Sequence, residues 1–139
     1  ESPRDITVAT LINYPAINLL DCRLRGKTLV LNGDTTLMEL KPQEIERITG
    51  KTGESEFSAG IKPGSIKPGS LKGCLSFTAK VLHIEYQGYN KIVNLEFSGG
   101  TVRLRTNQTV RKRYGESIDF SFDRNEVFLF SRETGERIL

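Results

Sequence analysis

Side chains that could do chemistry are few in this chain and do not cluster in the sequence. His83 is the only histidine, and it lies inside an alternating strand pattern, which is typical of a packed or edge residue rather than a general base. Cys22 and Cys74 are far apart and flanked by apolar residues, which favours two buried thiols. Asp119 and Asp123 lie four residues apart on one face of a predicted strand, which favours a solvated edge over an acid pair. No spacing suits a metal site, so the sequence predicts that this chain is not an enzyme and holds no cofactor.

Three short matches to nucleotide-binding motifs are excluded by their context. Gly26–Thr28 and Gly50–Thr52 both read Gly-Lys-Thr, the end of a P-loop, but Asp21 and Ile45 stand where that motif requires an earlier glycine. Without that glycine the backbone cannot wrap a phosphate. Ser98–Gly100 matches part of an ATPase signature sequence, but its position between two strand patterns predicts a hairpin turn.

Basic residues leave a nucleic-acid alternative open. The net charge of +3, from 20 basic and 17 acidic residues, is too balanced to indicate nucleic acid alone. An OB-type barrel, however, holds single strands through a basic face and stacked aromatic rings, for which Tyr86, Tyr89 and Tyr114 are available. The residues of this alternative nucleic-acid face are Arg23, Arg25, Arg103, Arg105, Arg111, Lys112 and Arg113. Most phenylalanines alternate inward, so the sequence favours an ordinary solvated basic face.

Alternating apolar residues predict strands along most of the chain. Ser2 and Pro3 suit a helix start, which predicts a short helix to about Ile12 inside a helical lead-in over residues 1–18. Period-two patterns then predict a β-meander over residues 18–40, with an Asn-Gly turn, and a further strand at 56–61. Residues 41–54 suit either one helical turn or a polar connection, and they are predicted as a loop.

The second half of the chain carries three further signals. An exact tandem pentad, Ile-Lys-Pro-Gly-Ser, occupies residues 61–65 and 66–70 and excludes a central strand or a helix there. The parity of the apolar residues flips between Val81 and Leu82, which predicts a β-bulge in one long strand. Residues 115–139 predict a strand pair, in which Phe120 points inward while Asp119 and Ser121 face water.

These signals predict an all-β barrel of the OB kind, or a sandwich, with one N-terminal helix. The length of 139 residues predicts a single domain over residues 1–139, and no apolar run is long enough to insert into a membrane. The chain begins with Glu1 and carries no leader pattern, which favours a piece of a longer protein.

The order of residue types in four stretches resembles a known family. Ile6–Leu19 resembles its Phe/Ile-x-Val-Ala-x-Phe/Leu-Ile-Gly-x-Pro-x-Met-Asn-Leu pattern, and Gly60–Gly64 resembles Gly-Ile-Arg-Pro-Glu. Ile84–Gly88 resembles Val-Glu-x-Leu-Gly, and Leu129–Ile138 resembles Leu-Phe-Asp-x-x-Thr-Gly-x-x-Ile. The family is the C-terminal regulatory region, of TOBE type, of the ATP-binding subunits of sugar-importer ABC transporters of the maltose and glycerol-phosphate kind.

This resemblance implies a regulatory and dimerisation domain with a mainly β, OB-fold-like antiparallel barrel of TOBE type. It implies an ATPase domain, absent from this chain, that would bind ATP and Mg²⁺. It further implies a homodimer, membrane subunits of a sugar or polyol importer, a possible regulatory protein, and a cytoplasmic location at the inner face of the cell membrane. A small oxyanion-binding domain remains a further alternative. The contact residues that the resemblance implies are Ile61, Lys62, Pro63, Glu85, Gly88, Phe130 and Gly135.

Overall fold

The computed structural model describes Asp5 and residues 16–139. Its residues group into two compact units. Unit 1 comprises Glu1–Ile61 and Val127–Leu139, and unit 2 comprises Lys62–Glu126. Unit 2 is therefore one continuous segment inserted between two parts of unit 1. The prediction of a single domain over residues 1–139 stays a prediction.

Strands dominate both units, as the sequence predicts. The described part of the chain forms one α-helix, α1 (Pro42–Lys51), and the strands β1 (Asn18–Arg25), β2 (Thr28–Leu31), β3 (Thr36–Glu39), β4 (Glu56–Ile61), β5 (Lys67–Pro68), β6 (Leu75–Gln87), β7 (Asn90–Phe97), β8 (Gly100–Thr106), β9 (Ser117–Phe122) and β10 (Phe128–Ser131). Short 3₁₀ turns lie at Pro63–Ser65 and Arg124–Glu126. The one helix of the described range is neither long nor apolar enough to cross a membrane.

Unit 1 is built on a five-stranded antiparallel sheet in the order β10-β4-β1-β2-β3. The predicted meander of β1, β2 and β3 is confirmed, and Gly33 takes the positive φ of +85° that the turn between β2 and β3 requires. β4 lies between β1 and β10, so both of its edges are paired. The core of this unit is largely aliphatic, with Leu29, Leu31 and Ile48 almost fully buried.

Helix α1 corrects the loop predicted over residues 41–54. Pro42 begins the helix, and the Glu44 carboxylate accepts a hydrogen bond from the Lys41 backbone N–H at 2.8 Å, as in a capping box. Ile48 is the helix residue that is fully buried. Its isoleucines, Ile45 and Ile48, lie three residues apart, and one such pair does not distinguish a full helix from a single helical turn.

The predicted N-terminal helix from Ser2 to about Ile12 lies outside the described residues except for Asp5, which forms an isolated antiparallel bridge with Glu136. Ala16 and Ile17 are not helical, and β1 begins at Asn18. A helical lead-in as far as residue 18 is therefore wrong at its C-terminal end.

Unit 2 is built on a second five-stranded antiparallel sheet in the order β5-β9-β6-β7-β8. The predicted bulge is confirmed, because Val81 pairs with Leu95 and His83 pairs with Asn94, which leaves Leu82 as the extra residue. Four phenylalanines form the aromatic part of its core. Phe97 meets Phe77 and Phe120 edge to face, with ring centroids 5.3 and 5.2 Å apart, and Phe122 stacks on Phe77 at 5.6 Å.

Two predictions for the C-terminal residues are wrong. β9 and β10 are not a strand pair, because β9 pairs with β5 and β6 in unit 2 whereas β10 pairs with β4 in unit 1. Ser121 does not face water: it is fully buried, and its Oγ has no hydrogen-bond partner. The edge strand β5, formed by the second pentad, pairs with β9 at Ser121, and a two-residue proline-containing strand gives no period that predicts this pairing.

Candidate functional site

Three of the predicted contact residues lie in unit 1. Ile61 and Phe130 are buried, and Phe130 packs with Ile17 and Phe128 in a small apolar cluster. Gly60, beside Ile61, leaves room for this cluster, since a Cβ there would lie 2.6 Å from Phe130 Cε2. Gly135, the third predicted residue, takes a φ of +77° in the turn after β10. Their predicted role as contacts stays a prediction.

The other four predicted contact residues lie in unit 2. Pro63 is buried in a 3₁₀ turn next to the half-buried Lys62. Glu85 is half-buried on β6 and accepts a hydrogen bond from Asn94 Nδ2 at 3.2 Å. Gly88 is exposed in the turn between β6 and β7, with a φ of +58°. Lys62 and Glu85 are thus the charged members of the set that water reaches.

The turn that follows β10 is held by the hydroxyl of Ser131, a buried residue that replaces the aspartate of the resembled pattern. Ser131 Oγ accepts hydrogen bonds from the backbone N–H groups of Glu133 and Thr134 at 3.2 and 3.1 Å. The same hydroxyl donates to the Glu54 carboxylate, with a distance of 2.7 Å to Oε2. A serine oxygen can accept from backbone N–H groups as an aspartate does, so the turn is kept without the family's residue.

Glu54 is the focus of polar contacts in unit 1. The hydrogen bond from Ser131 is the main cause of a lowered pKa of the Glu54 carboxyl, against an opposing effect of desolvation. The Thr52 hydroxyl, at 2.8 Å, and the backbone N–H of Glu133, at 3.1 Å, lower the pKa further. No local sequence signal marks Glu54, because its partners Ser131 and Glu133 are 77 and 79 residues away in the chain.

An open cleft of about 450 Å³ surrounds this carboxylate. Its charged lining consists of Glu54, Glu56, Glu133 and Arg132. Arg132 Nη1 lies 3.6 Å from the Glu56 carboxylate, and its Nε lies 3.9 Å from Asp21. Three carboxylates against one guanidinium repel an anion, so this cleft does not suit an oxyanion. The oxyanion alternative stays a prediction.

The residues of the predicted nucleic-acid face divide between the units. In unit 1, Arg23 and Arg25 both contact the same oxygen of Asp34, at 2.6 and 3.1 Å. In unit 2, Arg103 and Arg105 are exposed on β8, and Arg103 Nε donates to Asn94 Oδ1 at 3.1 Å. The basic run Arg111, Lys112 and Arg113 lies in the exposed connection between β8 and β9.

The three tyrosines that the sequence left for stacking all point outward. Tyr86, Tyr89 and Tyr114 are 71%, 82% and 80% exposed. All three lie in unit 2, together with the basic run 111–113.

Other chemically capable residues form no centre. Among the described residues no three His, Cys, Asp or Glu side chains are grouped as metal ligands require. Cys22 is buried, and desolvation together with the nearby Asp21 charge raises the pKa of its thiol to about 12. Cys74 is only half-buried, and His83 is exposed on β6. The Gly-Lys-Thr at 50–52 forms the C-terminal end of α1, whereas helices bind phosphate at their N-terminal ends.

Comparison with known proteins gives relatives of one kind. No family model matches the chain. It is 29% identical, over 98% of its length, to the xylose/arabinose import ATP-binding protein XacK of Haloferax volcanii, and 23% identical, over 94%, to the sn-glycerol-3-phosphate import ATP-binding protein UgpC 1 of Rhizobium johnstonii. The predicted resemblance is confirmed. The chain spans about a third of the length of these relatives, 36% and 34%, and matches their C-terminal part.

A solved structure supports the fold. The chain superposes on the cytoplasmic molybdate-binding protein ModG with a TM-score of 0.58 and 19% identity, which covers 81% of this chain and 94% of that protein. The mainly β, TOBE-type fold predicted from the sequence is thereby confirmed. The matched C-terminal part of the importer subunits is not catalytic, so the prediction that this chain is not itself an enzyme is confirmed.

Proposed function

We propose that this chain is the regulatory and dimerisation region of the ATP-binding subunit of an ABC importer for sugars or polyols. The observation that carries the proposal is the match over 98% of the chain to one region of a pentose-import ATP-binding protein. A second match, to a glycerol-phosphate import protein, covers 94% of the chain. Because both matches run along both units, the proposal concerns the whole chain and not one sheet alone.

The proposal assigns the chemistry to the rest of the subunit. ATP and Mg²⁺ bind to an ATPase domain that this chain does not contain, and the chain itself holds no cofactor. The subunit acts at the inner, cytoplasmic face of the cell membrane together with membrane subunits. Two copies of the region keep two ATPase domains together, and a regulatory protein docks on the same region.

Lys62 and Glu85 are the residues through which we test the contacts. Both are charged, half-buried and members of the predicted contact set, so each can be changed without opening a cavity. The buried Ile61, Pro63 and Phe130 are less informative, because their substitution would disturb packing as well as any contact.

The decisive experiment is sedimentation equilibrium of the 139-residue chain at several concentrations. We expect a concentration-dependent dimer that the double variant Lys62→Gln/Glu85→Gln weakens about fivefold or more, the range of a moderate interface residue. Arg47→Gln, on the exposed face of α1, is the control and should leave the dimer unchanged.

The larger proposal has its own test. The reading frame that encodes this chain should also encode a complete Walker A, signature and Walker B set before it. Deleting residues 1–139 from that subunit should leave ATP binding intact and weaken subunit dimerisation. A strictly monomeric chain together with a frame that lacks those motifs contradicts the proposal.

A further inference from the structure

The charge of the chain is divided unequally between its units. Unit 2 contains 11 basic and six acidic residues, a net charge of +5, whereas unit 1 contains nine basic and 11 acidic residues, a net charge of −2. The net charge of the whole chain is small because the acidic unit 1 offsets the basic unit 2. A charge asymmetry of this kind indicates an anionic partner for the basic part.

The connection that carries the basic run begins beside the turn of the β6–β7 hairpin and ends near the middle of β6. Residues 107–116 connect β8 to β9. Near the start of this connection, Lys91 Nζ on β7 donates a hydrogen bond to Gln108 O at 2.7 Å. Near its end, the Gly115 N–H donates to Val81 O on β6, also at 2.7 Å. The connection is thus fastened to β7 at one end and to β6 at the other.

Three tyrosines accompany the basic run. Tyr86 pairs with Lys91 across β6 and β7, and Tyr89 lies in the turn of that hairpin. Tyr114 directly follows the basic run and precedes Gly115, whose N–H bonds Val81 O. We call Tyr86, Tyr89, Arg111, Lys112, Arg113 and Tyr114 the hairpin-end surface. All six side chains are exposed, and within the described part of the chain none of the three cations forms an ion pair.

We propose that the hairpin-end surface binds single-stranded nucleic acid, a role beyond the transporter function proposed above. Arg111, Lys112 and Arg113 contact the phosphates, and the tyrosine rings stack on unpaired bases. Single strands are favoured over duplexes because the bases of a duplex already stack on each other, whereas exposed aromatic rings beside cations are the usual platform for unpaired bases.

The composition of the surface also argues against a membrane as the partner. Apart from its tyrosines, the one large apolar side chain exposed in the described part of unit 2 is Leu71, which lies in the loop before β6. An interfacial membrane anchor requires a larger apolar face. Arg103 and Arg105 do not belong to the surface, because on β8 they alternate with the buried Val102 and Leu104 and so face away from the side of the sheet that carries Tyr86.

The test is fluorescence anisotropy of the 139-residue chain with a labelled 12-nucleotide oligo(dT) across a series of salt concentrations. We expect binding at about 50 mM salt that weakens steeply as salt rises, because each neutralised phosphate releases condensed counterion. Arg111→Gln/Lys112→Gln should reduce the salt slope by about 1.4, the value expected for two lost contacts to a single strand. Tyr86→Ala/Tyr89→Ala should weaken binding about fivefold or more for each lost stack.

Matched variants separate this surface from general charge. Arg47→Gln/Lys72→Gln removes two exposed cations elsewhere and should leave the salt slope unchanged. Tyr86→Phe/Tyr89→Phe keeps the rings and should keep the affinity. The proposal is overturned by no binding at 50 mM salt, by equal losses in the two charge variants, or by equal binding of inorganic polyphosphate or phosphatidylserine vesicles. Each of these outcomes leaves the dimer measurement unaffected, so the two proposals can fail separately.

Discussion

Unit 1 and unit 2 carry sheets of the same size but build them from different kinds of chain segment. Unit 2 is continuous, so all of its strand pairs join residues within Lys62–Glu126. Unit 1 is discontinuous, because its edge strand β10 comes from the end of the chain and pairs with β4. Contacts between residues close in sequence therefore support unit 2, whereas the sheet of unit 1 depends on a strand pair that spans the whole insertion.

The two cores also differ in their side chains. Four phenylalanines contact one another in unit 2, whereas unit 1 combines buried leucines and isoleucines with the small cluster around Phe130. A core substitution can therefore be chosen to lower the stability of either unit.

The largest expected effect comes from removing one ring of the aromatic core. Phe120→Ala should lower the free energy of unfolding of unit 2 by about 3–5 kcal/mol, because Phe120 is 1% exposed and contacts Phe77 and Phe97. Hydrogen exchange followed by mass spectrometry should show lost protection within residues 62–126. Phe130→Ala is the mirror experiment and should affect residues 16–61 and 127–139. Equal loss of protection in both units from either change would mean that they unfold together.

A smaller loss is expected where the backbone of β4 passes the Phe130 ring. Gly60→Ala places a Cβ 2.6 Å from Phe130 Cε2 and 3.0 Å from Ile17 Cδ1, so the cluster must shift at a cost of about 1–3 kcal/mol. Gly50→Ala is the matched control, since nothing lies within 4 Å of its Cβ and alanine favours helix α1. Chemical denaturation should therefore show a lower free energy of unfolding for Gly60→Ala only.

An effect of opposite sign is expected at Ser121 in unit 2. Its buried Oγ makes no hydrogen bond, so Ser121→Ala should leave stability unchanged or raise it by up to about 1 kcal/mol. Ser131→Ala in unit 1 removes a buried hydroxyl that is fully bonded and should lower stability by about 1–2 kcal/mol. Thermal unfolding of both variants checks the contrast, and destabilisation by Ser121→Ala would show that its hydroxyl has a partner.

The smallest effect is a pH dependence at Glu54. Its lowered pKa means that the folded state favours the ionised carboxylate, so this contribution is present above the ordinary pKa of 4.5 and is lost as the pH falls through the folded value. Glu54→Gln should lower the midpoint of thermal unfolding slightly at pH 7, and the difference should vanish at low pH. A difference that is constant with pH contradicts the assignment.

Period-two patterns predicted strands such as β1 and β8, in which buried and exposed residues alternate along the chain. The bulge at Leu82 was visible for the same reason, since an extra residue shifts the alternation from odd to even positions. Helix α1 was missed because it buries Ile48 and no second apolar residue. The pairing partners of β9 and β10 were not predicted, because an alternating pattern indicates that a segment is a strand but not which strand lies beside it.

The candidate sites were predictable to a lesser extent. The outward tyrosines and the exposed run at 111–113 follow from composition and alternation. The ion pairs of Arg23 and Arg25 with Asp34 could not be predicted in this way, because they depend on the conformation of the turn between β2 and β3. The contacts between Glu54 and Ser131 join the two chain segments of unit 1, so no local signal marks them.

The ends of the inserted unit are held together by a hydrogen bond from Ser65 Oγ to Glu126 Oε2, at 2.6 Å. On the other side of the two junctions, Gly60 of β4 pairs directly with Phe128 of β10. Unit 2 thus separates β4 from β10 in the chain, but its two ends lie close together. Once unit 2 has folded, the residues just before and just after it are held near each other. Most of the loop-closure entropy for pairing β10 with β4 has then already been lost.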